Sequence, residues 1–437
     1  MSRLTRLWPS DPTARLAVLI GTWAFTRFLL IVVPMARDLP LASQDNAFEM
    51  TAFEAWGPAF GRGEGDAPLR DGPWEYPAAA AVFIAFPAIL RGAPYSTVFV
   101  LQMLLVDLVV LGVLAFWGMR RGSWAGAWFW LAAVPLLGPV VLGRFDLVPT
   151  LFAIGGLIAA AASAPATAGV LFATGASVKL WPALLVPIVL AVHRGGVRLL
   201  AAGAAVGAAV IALVAWFGEL RYLLSFLTYQ QDRGLEIEAV PALPLMLQGR
   251  AGTRQDIFIA FGFGSYEVHG PGEELLLRLA DLGLVAVLVL VAGLTWRVRR
   301  SAAERGQAAV VLTVVLMTGF LLFDKVLSAQ YPLWIAGLVA LSLCWPASPL
   351  RRTVVPLSGL LLLTQLVYPV YFQDLVNRVD PLPVYLLVVR DLLLLVVFLQ
   401  ATRAAYLMGG IRSRRSLSSE DEVPVHVQHR EQAEPAR

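Results

Sequence analysis

The chain of 437 residues is 58% hydrophobic and 15% charged, with a mean hydropathy of +0.71, which excludes an ordinary soluble globular domain. Its net charge of +4 rests almost wholly on arginine, since only Lys179 and Lys325 among its 34 basic residues are lysines. A single cysteine, Cys344, excludes an intrachain disulfide and a metal site built on thiolates.

Apolar runs recur at 16–34, 77–91, 96–118, 123–142, 147–164, 168–192, 198–217, 275–296, 308–323, 330–346, 354–371 and 383–408. A run near 20 residues can cross hydrocarbon as a helix, with its backbone paired internally, and the alternation of a barrel strand is absent. The expectation is an all-α, polytopic integral membrane protein of about 11–13 spans. One membrane domain covers 1–408, and the charged stretch 409–437 reads as a disordered cytoplasmic tail.

The first run follows Arg3, Arg6 and Arg15, contains Arg27 and lacks a small-x-small cleavage site. It predicts an uncleaved span with a cytoplasmic N-terminus. The stretch 36–76, rich in Asp, Glu, Gly, Pro and Trp, is then a structured outer loop. In it, Asp45 precedes Phe48, Met50, Phe53 and Trp56 at rough helical spacing. A carboxylate there caps a short interfacial helix, serves as general base for an acceptor hydroxyl, or does both. Pro73-Trp74-Glu75-Tyr76-Pro77 leads into the next run and puts Glu75 and Tyr76 at the interface. Run 77–91 is short enough to dip in without crossing, and Arg120 and Arg121 favour the inner side against simple alternation from the first span.

Arg144 and Asp146, two residues apart, do not share a helix face and point to different partners around a polar pocket. Arg144 suits a phosphate, and Asp146 suits orienting that phosphate or a sugar hydroxyl; the alternative is an interfacial ion pair. Lys179-Leu180-Trp181-Pro182 breaks the run 168–192, and irregular backbone at membrane depth requires a cavity or protein beside it. Lys179 is a functional candidate or a snorkelling side chain. The second long outer loop, 218–274, carries Arg233 beside Gly234 as an anion clamp, the aromatic and glycine run 261–264, and His269 as a ligand or a surface histidine. Asp324 and Lys325 then precede Ser328, Gln330, Tyr331 and Trp334 between two apolar runs. The adjacent pair neutralises itself or leaves a cation for a lipid-linked phosphate. Arginines at 297–300, 351–352 and 412–415 anchor the inner face and place the C-terminus in the cytoplasm. Walker A, HExxH, GxSxG and Rossmann motifs are absent, and no internal repeat of the kind many transporters show is evident.

These features resemble the GT-C-fold glycosyltransferases, and within them the actinobacterial polyprenyl-phosphate-mannose-dependent mannosyltransferases of family 87. The resemblance covers roughly 15–345 and rests on six features: the acidic residue of the first outer loop, Trp74-Glu75-Tyr76-Pro77, Arg144-Phe145-Asp146, Lys179-Leu180-Trp181-Pro182, Arg233-Gly234-Leu235 and Lys325-Val326-Leu327-Ser328-Ala329-Gln330-Tyr331. The family often has prolines where this chain has Ala78 and Ala329. The resemblance implies a polyprenyl-phospho-hexose donor, a glycolipid or glycan acceptor outside a bacterial plasma membrane, and inversion at the anomeric carbon. Asp45 would be the base, and Arg144, Lys179, Arg233 and Lys325 would neutralise the departing phosphate. Membrane lipids are the surroundings. No cofactor beyond the donor and no nucleic-acid partner is implied; a divalent metal helps some GT-C enzymes, but no convincing ligand set is visible. A transporter or flippase of lipid-linked sugar, and a non-catalytic glycolipid-binding assembly factor, remain alternative readings.

Overall fold

The computed structural model describes residues 11–36, 44–90, 92–250 and 256–411, with side chains omitted at 33–36 and 44–49. The predicted tail from Arg412 onward lies outside the described residues.

Apolar runs become helices because hydrocarbon leaves the backbone no other partner. In chain order these are α1 (Pro12–Ala36), α2 (Gln44–Arg62), α3 (Ala80–Ile89), α4 (Tyr95–Arg121), α5 (Ala125–Leu137) and α6 (Val140–Gly143). Next come α7 (Leu147–Ala161), α8 (Pro165–Val178), α9 (Val186–Val192), α10 (Gly196–Phe217), α11 (Ser225–Gln231) and α12 (Leu243–Gly249). The last six are α13 (Glu273–Arg299), α14 (Arg305–Phe323), α15 (Pro332–Leu343), α16 (Val354–Gln365), α17 (Phe372–Arg378) and α18 (Pro381–Met408).

The turns sort onto two faces. On the first, Arg15 lies 6.0 Å from the Trp124 ring, Arg121 lies 3.8 Å from Glu304 and over Trp117 and Trp345, and Arg305 donates to the Val192 carbonyl. The Ala302 N–H, donating to the carbonyl of Ile411, brings the end of α18 to the same face. Turns near 76, 145, 180, 235, 265, 328 and 370 meet on the opposite face.

Among the described residues seven helices are long and apolar enough to cross a membrane: Pro12–Val32, Tyr95–Arg121, Gly196–Phe217, Glu273–Arg299, Arg305–Phe323, Arg351–Val370 and Pro381–Met408. Five shorter apolar segments also run from face to face: Ala125–Leu137, Leu147–Ala161, Pro165–Val178, Trp181–Val192 and Pro332–Leu343. Together they make twelve passages. Helices this short occur where neighbouring protein covers their ends, as with α15, whose every residue is buried.

The ten-residue α3 does not cross. It packs on α2, with the Tyr95 hydroxyl donating to the Ile84 carbonyl and Arg62 donating to that of Ala88. That removes the conflict over Arg120 and Arg121. Where α8 meets α10, a Cβ on Gly169 would run into the carbonyl of Leu199, so the backbones touch through a small residue. Deeper in the bundle, Asp107 of α4 accepts from Trp23 Nε1 (2.6 Å), Arg27 Nε (2.7 Å) and Nη2 (3.1 Å), and Trp130 Nε1 (2.7 Å). This cluster ties α1 to α4 and α5.

Among the described residues the fold is all-α apart from one hairpin in the loop between α12 and α13, β1 (Phe258–Gly262) and β2 (Ser265–His269). Its two-residue turn, Phe263 at φ 49° and Gly264 at φ 72°, has both φ positive, as a type I′ turn requires.

Candidate active site

A cavity of about 820 Å³ opens on the face opposite the arginine turns. One side is the α2 helix, whose Phe53 and Trp56 pack with Trp74 and Tyr76 in a chain of tilted and edge-on rings. Apolar burial thus fixes Trp74-Glu75-Tyr76 where the chain leaves the outer loop. Tyr229 and Tyr76 favour the ionised Glu75 carboxyl, but burial dominates and pushes its pKa up.

The floor comes from two breaks in the helices. Asp146, 3% exposed at the start of α7, accepts from Lys179 Nζ (2.8 and 3.0 Å) and Trp334 Nε1 (2.8 Å). It stands behind the cavity wall and holds Lys179 there, with the ammonium 4.9 Å from the Tyr331 ring and 5.4 Å from that of Trp334. Trp334 stacks between Tyr331 (4.1 Å) and Trp181 (5.2 Å). The α8–α9 break at Lys179-Leu180-Trp181-Pro182 gives this corner its shape: Lys179 leaves the helix with extended φ and ψ of −152° and 132°.

The third wall is a loop held in place by backbone pairing. The N–H of Ile237 donates to the carbonyl of Tyr266 (3.0 Å) and that of Val268 to Leu235 (2.8 Å), so the segment 235–237 lies alongside β2. Lys325 donates to the carbonyls of Gln231 (2.8 Å) and Arg233 (2.6 Å), while the Glu236 N–H donates back to the Lys325 carbonyl (3.0 Å). Lys325 is thus a strap across the loop, and it still lines the cavity. Arg233, 9% exposed, donates from Nη2 to Ser265 Oγ (2.6 Å), and its Nε has no hydrogen-bond partner among the described residues.

Glu236 and Glu238 follow on the same wall. Burial pushes both carboxyls up against the pull of nearby arginines, Glu238 to about 8. Asp324 is likewise raised by burial to about 7, although the Val326 N–H donates to it. Arg390 of α18 reaches Glu238 from behind: it donates to the Glu238 carbonyl and to Asp391 Oδ1 (2.9 Å from Nε), and its Nη1 lies 3.6 Å from Glu238 Oε1.

Of the residues singled out from sequence, Glu75, Tyr76, Arg144, Lys179, Arg233, Lys325, Gln330 and Tyr331 line one cavity. Asp146 supports it from behind. His269 does not line it and pairs with Glu273 at 3.1 Å. The side chain of Asp45 lies outside the described residues. Glu238, Tyr229 and the clamp formed by Arg390 and Asp391 were not anticipated. Two adjacent charges inside the last apolar run were the available signal for the clamp. Among the described residues no group of three or more His, Cys, Asp or Glu side chains is placed to hold a metal ion.

No curated protein and no solved structure matches the chain. The sequence pattern of glycosyltransferase family 87 matches residues 74–323, more than half of the chain and most of the cavity wall, and the protein belongs to that family.

Proposed function

We propose that the protein transfers a hexose, mannose as the first candidate, from a polyprenyl-phosphate donor to an envelope glycolipid or glycan outside a bacterial plasma membrane. The arginine turns mark the cytoplasmic face by the positive-inside rule, and with it both termini. The cavity then opens outward, beside the leaflet in which a lipid-linked donor would sit. The observation that carries this reading is Arg233, a buried guanidinium on the cavity wall with its Nε unpartnered. Such a group binds a phosphate ester in both ground and transition states and gains most as the negative charge develops.

In the proposed step the acceptor oxygen attacks the anomeric carbon from the side opposite the phosphate. The carbon–oxygen bond to phosphate breaks, and its electron pair leaves with the lipid phosphate, facing Arg233 with Arg144 and Lys179 nearby. The acceptor proton passes to a carboxylate, for which Asp45 is our choice. Its helix, α2, lines the cavity through Ala52, Phe53 and Trp56. Holding two lipid-borne substrates in one cleft removes much of the entropic barrier.

The test is transfer of radiolabelled mannose from polyprenyl-phosphomannose to membrane glycolipids, comparing wild type with Asp45→Asn at matched expression. Transfer that disappears in the variant supports enzyme and base together. Equal transfer in both discards Asp45, and none in either with a full donor panel discards the transfer reading.

A further inference from the structure

Four buried polar atoms on one wall of the cavity make no hydrogen bond among the described residues: Arg233 Nε, Glu236 Oε2, Glu238 Oε1 and Gln330 Oε1. The residues are 9%, 7%, 3% and 4% exposed, respectively. Glu238 Oε1 faces Arg390 Nη1 at 3.6 Å, an ion pair behind the wall; native proteins rarely leave buried polar atoms unpaired, and the other three mark groups open to a ligand. On this wall three are acceptors and one is a guanidinium N–H, while the indole N–H groups of Trp74 and Trp181, likewise unpaired among the described residues, supply two further donors elsewhere in the lining.

The acceptors are also held firmly. Arg390 fixes the Glu238 backbone through its carbonyl, and its own guanidinium is pinned by Asp391. The Glu236 N–H donates to the Lys325 carbonyl at 3.0 Å. A wall of fixed acceptors is preorganised for a ligand carrying several O–H groups at fixed spacing.

We propose that Glu236, Glu238 and Gln330 read the ring hydroxyls of the transferred sugar, and that this wall admits a neutral sugar with those hydroxyls free. Arg233, at the end of the same wall, takes the phosphate. This inference rests on the transfer reading above and narrows it to a sugar class. A uronate carboxylate brings a further acceptor, and no hydrogen, to a wall of acceptors, and a deoxy position leaves one of those acceptors unpaired in a dry site. Sites built to hydrogen-bond a substrate hydroxyl reject the analogue lacking it far better than apolar pockets reject a missing methylene.

The experiment measures binding rather than turnover. Polyprenyl-phosphomannose, its monodeoxy and monodeoxyfluoro analogues, and the corresponding uronate are titrated into purified protein, with quenching of the cavity tryptophans as the readout. Wild type should bind at least one monodeoxy analogue about tenfold or more weakly than the parent, and the uronate more weakly still. The variants Glu236→Gln and Glu238→Gln, checked by thermal melting, add an N–H donor in the same shape. Each should shift preference toward a deoxyfluoro analogue, whose fluorine only accepts, a swap that general damage would not produce. Equal binding of every analogue by wild type overturns the proposal, as does an unchanged preference in both variants. Discrimination in binding with no transfer to any acceptor would keep the wall and remove the transfer reading; transfer without discrimination would do the reverse.

Discussion

Arg27 with Asp107, and Arg390 with Glu238 and Asp391, are both buried arginine–carboxylate clusters among apolar helices, yet they are finished differently. Around Asp107 every side-chain donor and acceptor is used: two indoles and two guanidinium nitrogens meet the carboxylate, and Arg27 Nη1 donates to the carbonyl of Leu131 at 3.0 Å. Around Arg390, Glu238 Oε1 and Arg390 Nη1 face each other at 3.6 Å, beyond hydrogen-bond length, and Asp391 Oδ2 has no hydrogen bond among the described residues. The first cluster borders only helices, while the second stands behind a cavity wall. A charge at membrane depth is a reason to look for function, and completeness of its hydrogen bonding separates an internal rivet from a working surface.

Substitutions should divide along the same line. Breaking the closed cluster by Asp107→Ala leaves Arg27 buried and unpaired, at a cost of about 3–5 kcal/mol. We expect loss of monodisperse protein on size-exclusion chromatography, and recovery when Arg27→Met accompanies Asp107→Leu. Arg233→Ala should do the opposite. It removes a cation from the cavity, so the rate of sugar transfer should fall by about 10²–10³-fold while the melting temperature stays near that of wild type. Lys325→Met lies between these extremes. Losing the strap to the carbonyls of Gln231 and Arg233 should speed hydrogen exchange across 231–238 and lower transfer about tenfold, less than Arg233→Ala, because a charge-assisted hydrogen bond contributes about 1.5–3 kcal/mol.

The smallest effect is a pH dependence. The Glu238 carboxyl is raised by burial from 4.5 to about 8, so the folded protein holds that proton more tightly than the unfolded chain. Its contribution to stability is therefore complete below the ordinary carboxyl range and fades as pH rises through about 8. Glu238→Gln, which mimics the protonated form, should melt with wild type at pH 4 and progressively above it as pH rises to 9. A constant difference between the two across that range would mean that Glu238 does not titrate there.

Span content was legible because an apolar run near 20 residues has one solution in hydrocarbon. Side parity was not, since α3 is more apolar than α2 or α4 and only its ten-residue length and its seat on α2 keep it from crossing. The breaks at Lys179 and Lys325 were legible from charge and proline in apolar context. The hairpin was hidden by Phe263 at a turn position that usually carries Asn, Asp or Gly. Nothing local in the sequence singles out Glu238, because its burial depends on the segment paired with β2 on one side and α18 on the other. Neither contact has a local sequence signal.

The distribution of lysine has a practical consequence. In the orientation proposed above, the inner face is belted by arginine, and both lysines of the chain line the outward cavity. Amine-directed reagents therefore meet side-chain targets in one place only, with Lys179 paired to Asp146 and Lys325 donating to two carbonyls. A small impermeant acylating probe applied to intact cells would report on occupancy of the cavity itself, and protection by a bound lipid-linked sugar could be read by mass at two known positions.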